Sequence, residues 1–267
     1  MLHRSIVFLC AIALASTASA QDWAKAKINA SPRHREWVTV KNGDRTVQCF
    51  VVYPEVKDKA PVVLLIHEIF GLSDWARDEA DQVAAAGYIA IAPDLVSGLA
   101  PGGGGTSDFP DQDSVTKAVS KLPQDQVTGD LNAAADYGLS LPASNGELFV
   151  AGFCWGGGQS FRFATSRAGL KAAFVFYGTA PTDFDSIARI LCPVYGFYGG
   201  NDARVTSTVA ATTDIMKKAG KTYEPVTYEG AGHGFMRSGE DPAGTPANKR
   251  ANLRAWERWL ILLKQNS

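Results

Sequence analysis

Charge of neither sign is in excess in this sequence: 26 Lys and Arg stand against 27 Asp and Glu in 267 residues, a net charge of −1. Without a basic field to hold a polyanion, nucleic acid is not an expected partner. Long apolar runs are missing as well. The run from Ile6 to Ala15 is about half of the roughly 20 residues that a spanning helix needs, so no stable membrane anchor is expected. Cysteine is scarce, with four in the whole chain, and none stands in a C-x-x-C arrangement with Cys154, which weakens any dithiol redox reading. No internal repeat is visible. The one Gly-rich stretch, Gly102 to Gly105, lacks the Lys-Ser/Thr that follows in a phosphate loop, so nucleotide binding is not expected there.

What is present begins with a leader. His3 and Arg4 precede the apolar run, and Ala18-Ser19-Ala20 closes it as a small-residue cleavage site. Residues 1–20 are therefore read as a signal peptide, and the mature chain, beginning near Gln21, as periplasmic or secreted. An oxidising compartment tends to pair thiols, yet the mature chain keeps an odd set, Cys49, Cys154 and Cys192. If Cys154 is unpaired, Cys49 and Cys192 are either bonded to each other or free, and two small buried hydrophobes describe them equally well.

Residues 21–267 suit a single α/β domain. Short β-branched runs at 36–40, 47–53, 61–67, 88–94, 147–153, 172–178, 193–200 and 223–230 are separated, after the first few, by helical patterns at 74–86, 125–140, 156–167, 206–219 and 247–264. This order predicts a sheet that starts as a hairpin and continues as parallel βα units, mostly parallel and flanked by helices on both faces. In such sheets ligands bind beyond the carboxyl ends of the strands.

Three of those ends carry chemistry. Gly152-Phe153-Cys154-Trp155-Gly156 follows a strand and opens a helix, the setting of a G-x-S-x-G elbow with cysteine in place of serine. Gly199-Gly200-Asn201-Asp202 follows the strand VYGFY, and Gly230-Ala231-Gly232-His233-Gly234 follows YEPVTYE. Each alone reads as a turn. Together, in the order Cys154, Asp202, His233, they reproduce the nucleophile, acid and histidine order of α/β-hydrolases. Asp202 would orient His233, and His233 would take the Cys154 proton and later activate water. The backbone N–H groups of Trp155 and of Ile69, in the loop after the strand PVVLLIH, are the expected oxyanion donors.

With HEIFGL, AAAGYIAIAPDL, GFCWGG, GGNDARV and AGHGFMR all in place between about residues 36 and 264, the sequence resembles the dienelactone hydrolase family. The resemblance implies an α/β-hydrolase fold and cleavage of a lactone or ester without metal or organic cofactor. It also implies that Glu68 contacts the resting thiol and is displaced when substrate arrives. Two arginines would hold a substrate carboxylate. Arg237 matches one of them; Gly98 stands where the other is expected. A charge-assisted contact is worth roughly 1.5–3 kcal/mol, so its loss would cost about tenfold in affinity. Arg162, Arg167, Arg189 and Arg204 are the candidates to compensate.

Thiolate leaves a tetrahedral intermediate more readily than an alkoxide does, so a thiol at 154 favours lactones and activated esters over ordinary alkyl esters. Phe70, Trp75, Phe109 and Trp155 are candidate pocket aromatics. The segment with Gly102–Gly105 reads as a surface loop, a mobile lid being the alternative. In the last helix Leu253, Trp256, Trp259, Leu260 and Leu263 fall at helical spacing and read as core. The expectation is an exported cysteine hydrolase acting on a small ester or lactone, monomeric, with a dimer as the alternative. The rivals are a broad esterase for aryl or other activated esters and a non-catalytic binding or redox protein on the same fold.

Overall fold

The computed structural model describes residues 21–267, and the expected leader, residues 1–20, lies outside the described residues. Helix α1 (Asp22–Ala30) precedes a hairpin of β1 (Arg35–Asn42) and β2 (Arg45–Val52). Asn42 pairs directly with Arg45, so the turn has two residues, and Gly43 takes it at φ +58, a conformation that costs glycine little. Then follow β3 (Ala60–Ile66), α2 (Asp74–Ala85), β4 (Ile89–Pro93), α3 (Gln112–Ser120), α4 (Gln124–Ser140), β5 (Ser144–Phe153) and α5 (Trp155–Ala164). The chain ends with β6 (Leu170–Phe176), α6 (Phe184–Ala188), β7 (Val194–Gly199), α7 (Ala203–Thr206), α8 (Val209–Lys218), β8 (Tyr223–Tyr228), α9 (Phe235–Glu240) and α10 (Pro246–Asn266).

The eight strands form one sheet in the order β1-β2-β4-β3-β5-β6-β7-β8. β2 runs antiparallel to its neighbours, and the strands from β4 to β8 are mutually parallel. The apolar runs of β3 and β4 are buried on both faces, because period-two alternation sends Val62, Leu64 and Ile66 to one core and Val63 and Leu65 to the other. Trp75 of α2 and Trp259 of α10 close the second core; Leu131 of α4, Phe161 of α5 and Met216 of α8 close the first. Phe176 stacks on Phe197 at 4.3 Å and on Phe153 at 4.8 Å between ring centroids. Burying each such ring contributes about 1.5–3 kcal/mol.

The last helix corrects one expectation. Leu253 and Leu260 face solvent, 61% and 38% exposed, while Ala251, Ala255, Trp259, Leu262 and Leu263 form the buried stripe. Two alanines on the inner face let α10 lie close to the sheet, and this rotates the leucines outward. Cys49 and Cys192 are both buried and free. Burial pushes each thiol up to about 12. Among the described residues, no helix is long and apolar enough to cross a membrane.

Candidate active site

The carboxyl ends of β3, β5, β7 and β8 carry Glu68-Ile69, Cys154, Asp202 and His233 into one place. Cys154 sits between β5 and α5 at φ +56, a left-handed conformation that costs a non-glycine residue about 1–3 kcal/mol and is held by its surroundings. The elbow is tight. A Cβ on Gly152 would lie 2.0 Å from the Gly156 carbonyl oxygen, and one on Gly156 would lie 2.3 Å from that of Ile66. The sharp bend thrusts the Cys154 side chain over the strand ends.

His233 Nε2 lies 3.0 Å from Cys154 Sγ, and His233 Nδ1 lies 2.5 Å from Asp202 Oδ2. A carboxylate only accepts, so Nδ1 carries the hydrogen, and in the neutral ring Nε2 is free to accept the thiol proton. Asp202 is 6% exposed. Its loop is tied to the histidine loop by Asn201 N–H donating to the Ala231 carbonyl at 2.8 Å, and Gly232 N–H donates to Asn248 Oδ1 of α10 at 2.9 Å.

Burial and the nearby Glu68 carboxylate push the Cys154 thiol above its usual value, so it rests neutral. The main-chain N–H groups of Trp155 and Ile69, together with the Arg204 guanidinium, act on the sulfur in the opposite direction. Both N–H groups named as oxyanion donors therefore lie close enough to act on Sγ. β3 and β5 are adjacent, which is what lets one donor come from each.

Glu68 does not take the position that the resemblance implied. It is 3% exposed and accepts a hydrogen bond from Arg237 Nε at 2.7 Å, not from the thiol. Burial works against the Arg237 cation, but the Glu68 charge more than restores it. Arg237, which also lies over the Phe70 ring at 5.1 Å, is thus committed to Glu68. Gly98 lies apart from this site: it is exposed at φ +80 and its N–H donates to the Gly104 carbonyl at 2.9 Å.

A cavity of about 370 Å³ opens beside Cys154, with Ile69, Trp155, Arg162, Tyr177 and Arg204 in its walls. Of the expected aromatics only Trp155 is there. Phe70 and Phe109 line a separate hollow of about 290 Å³, and Trp75 is fully buried in the core, edge-on to Phe153. Arg167 is paired with Asp136 and Arg189 with the Thr165 carbonyl, so neither faces the cavity. The Gly-rich segment is pinned: Thr106 donates to Asp94 from both N–H (2.7 Å) and hydroxyl (2.8 Å), and its Oγ1 accepts from Leu72 N–H.

Two contributors escape a reading of the sequence alone. His67 is buried, and burial holds its ring neutral. Nδ1 meets the Glu68 carbonyl at 2.7 Å, Nε2 accepts from Leu95 N–H at 3.4 Å, and the ring stacks on Trp155. It braces the loop that carries Ile69 against the residue after Cys154. Tyr177, at φ +42 after β6, presents its ring edge-on to His233 at 5.1 Å. The HE pair was visible in the sequence as a motif; nothing local marked Tyr177.

The dienelactone hydrolase family model matches residues 47–267. A protein of Escherichia coli K12, provisionally named a carboxymethylenebutenolidase, is 32% identical over 77% of this chain and 77% of its own length. One of Methylorubrum extorquens with the same provisional name is 31% identical over 74% of this chain and 71% of its own. A crystal structure from Klebsiella pneumoniae, provisionally named a dienelactone hydrolase, superposes with a TM-score of 0.76 at 27% identity, covering 87% of this chain and 99% of that one. The chain has an α/β-hydrolase fold and belongs to the dienelactone hydrolase family.

Proposed function

We propose that this chain is an exported cysteine hydrolase that opens a small lactone or activated ester through an acyl-thioester at Cys154. One observation carries the reading: Cys154 Sγ stands 3.0 Å from a histidine nitrogen whose opposite nitrogen is held by a buried aspartate. In acylation His233 accepts the thiol proton as sulfur bonds to the carbonyl carbon, and the oxyanion forms against the N–H groups of Ile69 and Trp155. Collapse breaks the acyl C–O bond, and His233 returns the proton to the leaving oxygen. In deacylation His233 takes a proton from water, the new hydroxyl bonds to the acyl carbon, and the C–S bond breaks to restore the thiol. A leaving group more stable than an alkoxide keeps the first collapse moving forward. Aryl and other activated esters are the alternative substrates on the same chemistry.

The rival redox reading lacks support, since Cys154 faces His233 and the other two described cysteines are buried. The experiment is turnover of a carboxylate-bearing dienelactone, and of p-nitrophenyl acetate, by the mature chain beside its Cys154→Ala variant. Mass spectrometry of a rapidly quenched reaction should find the acyl group on Cys154. Equal turnover by parent and variant would remove Cys154 from the chemistry.

A further inference from the structure

His233 stands in a run that gives it little support of its own. Gly230, Gly232 and Gly234 alternate around it, and Gly230 and Gly234 both sit at φ +72. Glycine has the most conformational freedom to lose on folding, so a Gly-Ala-Gly-His-Gly loop keeps one shape where other elements hold it. The upstream half is tied to the Asp202 loop: Asn201 N–H donates to the Ala231 carbonyl at 2.8 Å, and Asn201 Nδ2 to the Gly230 carbonyl at 3.1 Å. The half that carries the histidine leans on α10.

The contact there is a single amide. Asn248 Oδ1 accepts at 2.9 Å from the N–H of Gly232, the residue before His233. Asn248 Nδ2 donates at 2.9 Å to Ser238 Oγ, and that hydroxyl donates at 3.0 Å to the carbonyl of Gly234, the residue after His233. An asparagine side chain offers one acceptor and donors together, which is what spanning the histidine requires. Asn248 is itself fixed, because it is the third residue of α10 and its N–H is capped by Thr245 Oγ1 at 3.2 Å. α9 comes near enough for the Ser238 link because Gly239 has no side chain; a Cβ there would lie 2.5 Å from the Asn248 carbonyl oxygen. Asn248 is not in the wall of the cavity beside Cys154, so its route to the reaction runs through the histidine loop.

We propose that Asn248 is the positioning residue of His233, bracketing the histidine from both flanks so that Nε2 stays at the thiol and Nδ1 stays at Asp202. The inference rests on the hydrolase reading above and adds to it a residue outside the cavity. Acylation and deacylation both pass a proton through His233, so a ring out of line slows both, and a misplacement of about 1 Å can cost about a hundredfold.

The test reads p-nitrophenyl acetate hydrolysis and, without substrate, the ring 15N shifts of His233 at a pH where the ring is neutral. Those shifts report which nitrogen carries the hydrogen, and in the parent it should be Nδ1, held by Asp202. Asn248→Ala should lower kcat and kcat/KM together by at least about tenfold, and its ring should show a mixture of the two tautomers. Asn248→Asp keeps an acceptor for Gly232 N–H and loses the donor to Ser238, so it should restore part of both readouts. Asn252→Ala is the control. It removes another α10–α9 bond of the same length, from Asn252 Nδ2 to the Met236 carbonyl at 2.9 Å, without touching the histidine loop, and should leave both readouts at the parent's.

An unchanged tautomer in Asn248→Ala overturns the proposal. So does an equal loss in Asn252→Ala, which would make Asn248 one more contact between helices. Because the tautomer is read without substrate, the two hypotheses fail separately. A parent that turns over no ester, with the tautomer lost in Asn248→Ala, sinks the hydrolase reading and keeps the positioning role. Full turnover by Asn248→Ala with the tautomer unmoved sinks the positioning role and keeps the hydrolase reading.

Discussion

At Cys154 two opposing fields meet: burial and Glu68 hold the thiol neutral, and two N–H groups with Arg204 favour the anion. Removing the Glu68 charge should therefore let the thiol ionise at lower pH. Glu68→Gln is expected to shift the pH profile of iodoacetamide alkylation at Cys154 downward and to speed oxidation by peroxide, which follows thiolate character. An unmoved profile would show that Glu68 does not protect the thiol. His233→Asn should cut the acylation rate by at least about a hundredfold, the lower end of what a positioned acid–base group supplies. Single-turnover kinetics with p-nitrophenyl acetate measures it.

The elements that aim these side chains leave little room for change. Gly152→Ala would place a methyl group 2.0 Å from the Gly156 carbonyl oxygen, so the elbow must open. Overpacking of this kind costs about 1–3 kcal/mol or more, and thermal unfolding should report that loss together with a larger fall in activity. Far from the site, fully buried Asp130 of α4 accepts from Arg45 Nε at 2.8 Å and Asn42 Nδ2 at 2.9 Å, locking the hairpin onto the helix layer. Arg45→Met strands that carboxylate and is expected to cost about 3 kcal/mol by urea unfolding, with the ester specificity unchanged.

Helix boundaries were the least legible feature of the sequence. The expected helix 206–219 is α8, which starts only at Val209, behind a separate short α7 that was not foreseen; between them the Thr206 and Thr208 hydroxyls bond back to the Asp202 and Val205 carbonyls. α9 was not foreseen. It starts from Gly234 at φ +72 with no side-chain cap, and burial of Phe235 and Met236 holds it.

Across the whole molecule, α1, α2 and α9 share an acidic knot. Burial and the Glu240 charge push Asp78 up to about 7, and burial with Glu240 holds fully buried Glu79 well above the usual carboxylate range. Lys27 bonds to Glu240 at 2.7 Å and lies 3.5 Å from Asp78. An acid whose folded value is raised stabilises the fold fully below its unfolded value, here 3.8, and loses that contribution as pH rises through about 7. The Tm of the parent should thus fall between about pH 4 and about pH 7, and Asp78→Asn should flatten that slope. A slope identical in the variant would remove Asp78 as its source. Export is a proposal at this scale too, resting on residues 1–20. N-terminal sequencing of chain recovered outside the cytoplasm should begin near Gln21, whereas a retained Met1 would overturn it.

The sequence by itself determined the chain order of Cys154, Asp202 and His233 and the strand ends that carry them, because Cys154 and Asp202 follow apolar buried strands and His233 follows the strand-like run of β8, of which only Tyr228 is buried. It also determined the alternation of β and α, since a continuous apolar run has to be covered on both faces. Only the tertiary structure decided which charges pair. Glu68 could meet Cys154 or Arg237, and four arginines could face the cavity or the solvent. Those choices depend on the reach of long side chains across loops from different strands, separations that no local pattern encodes.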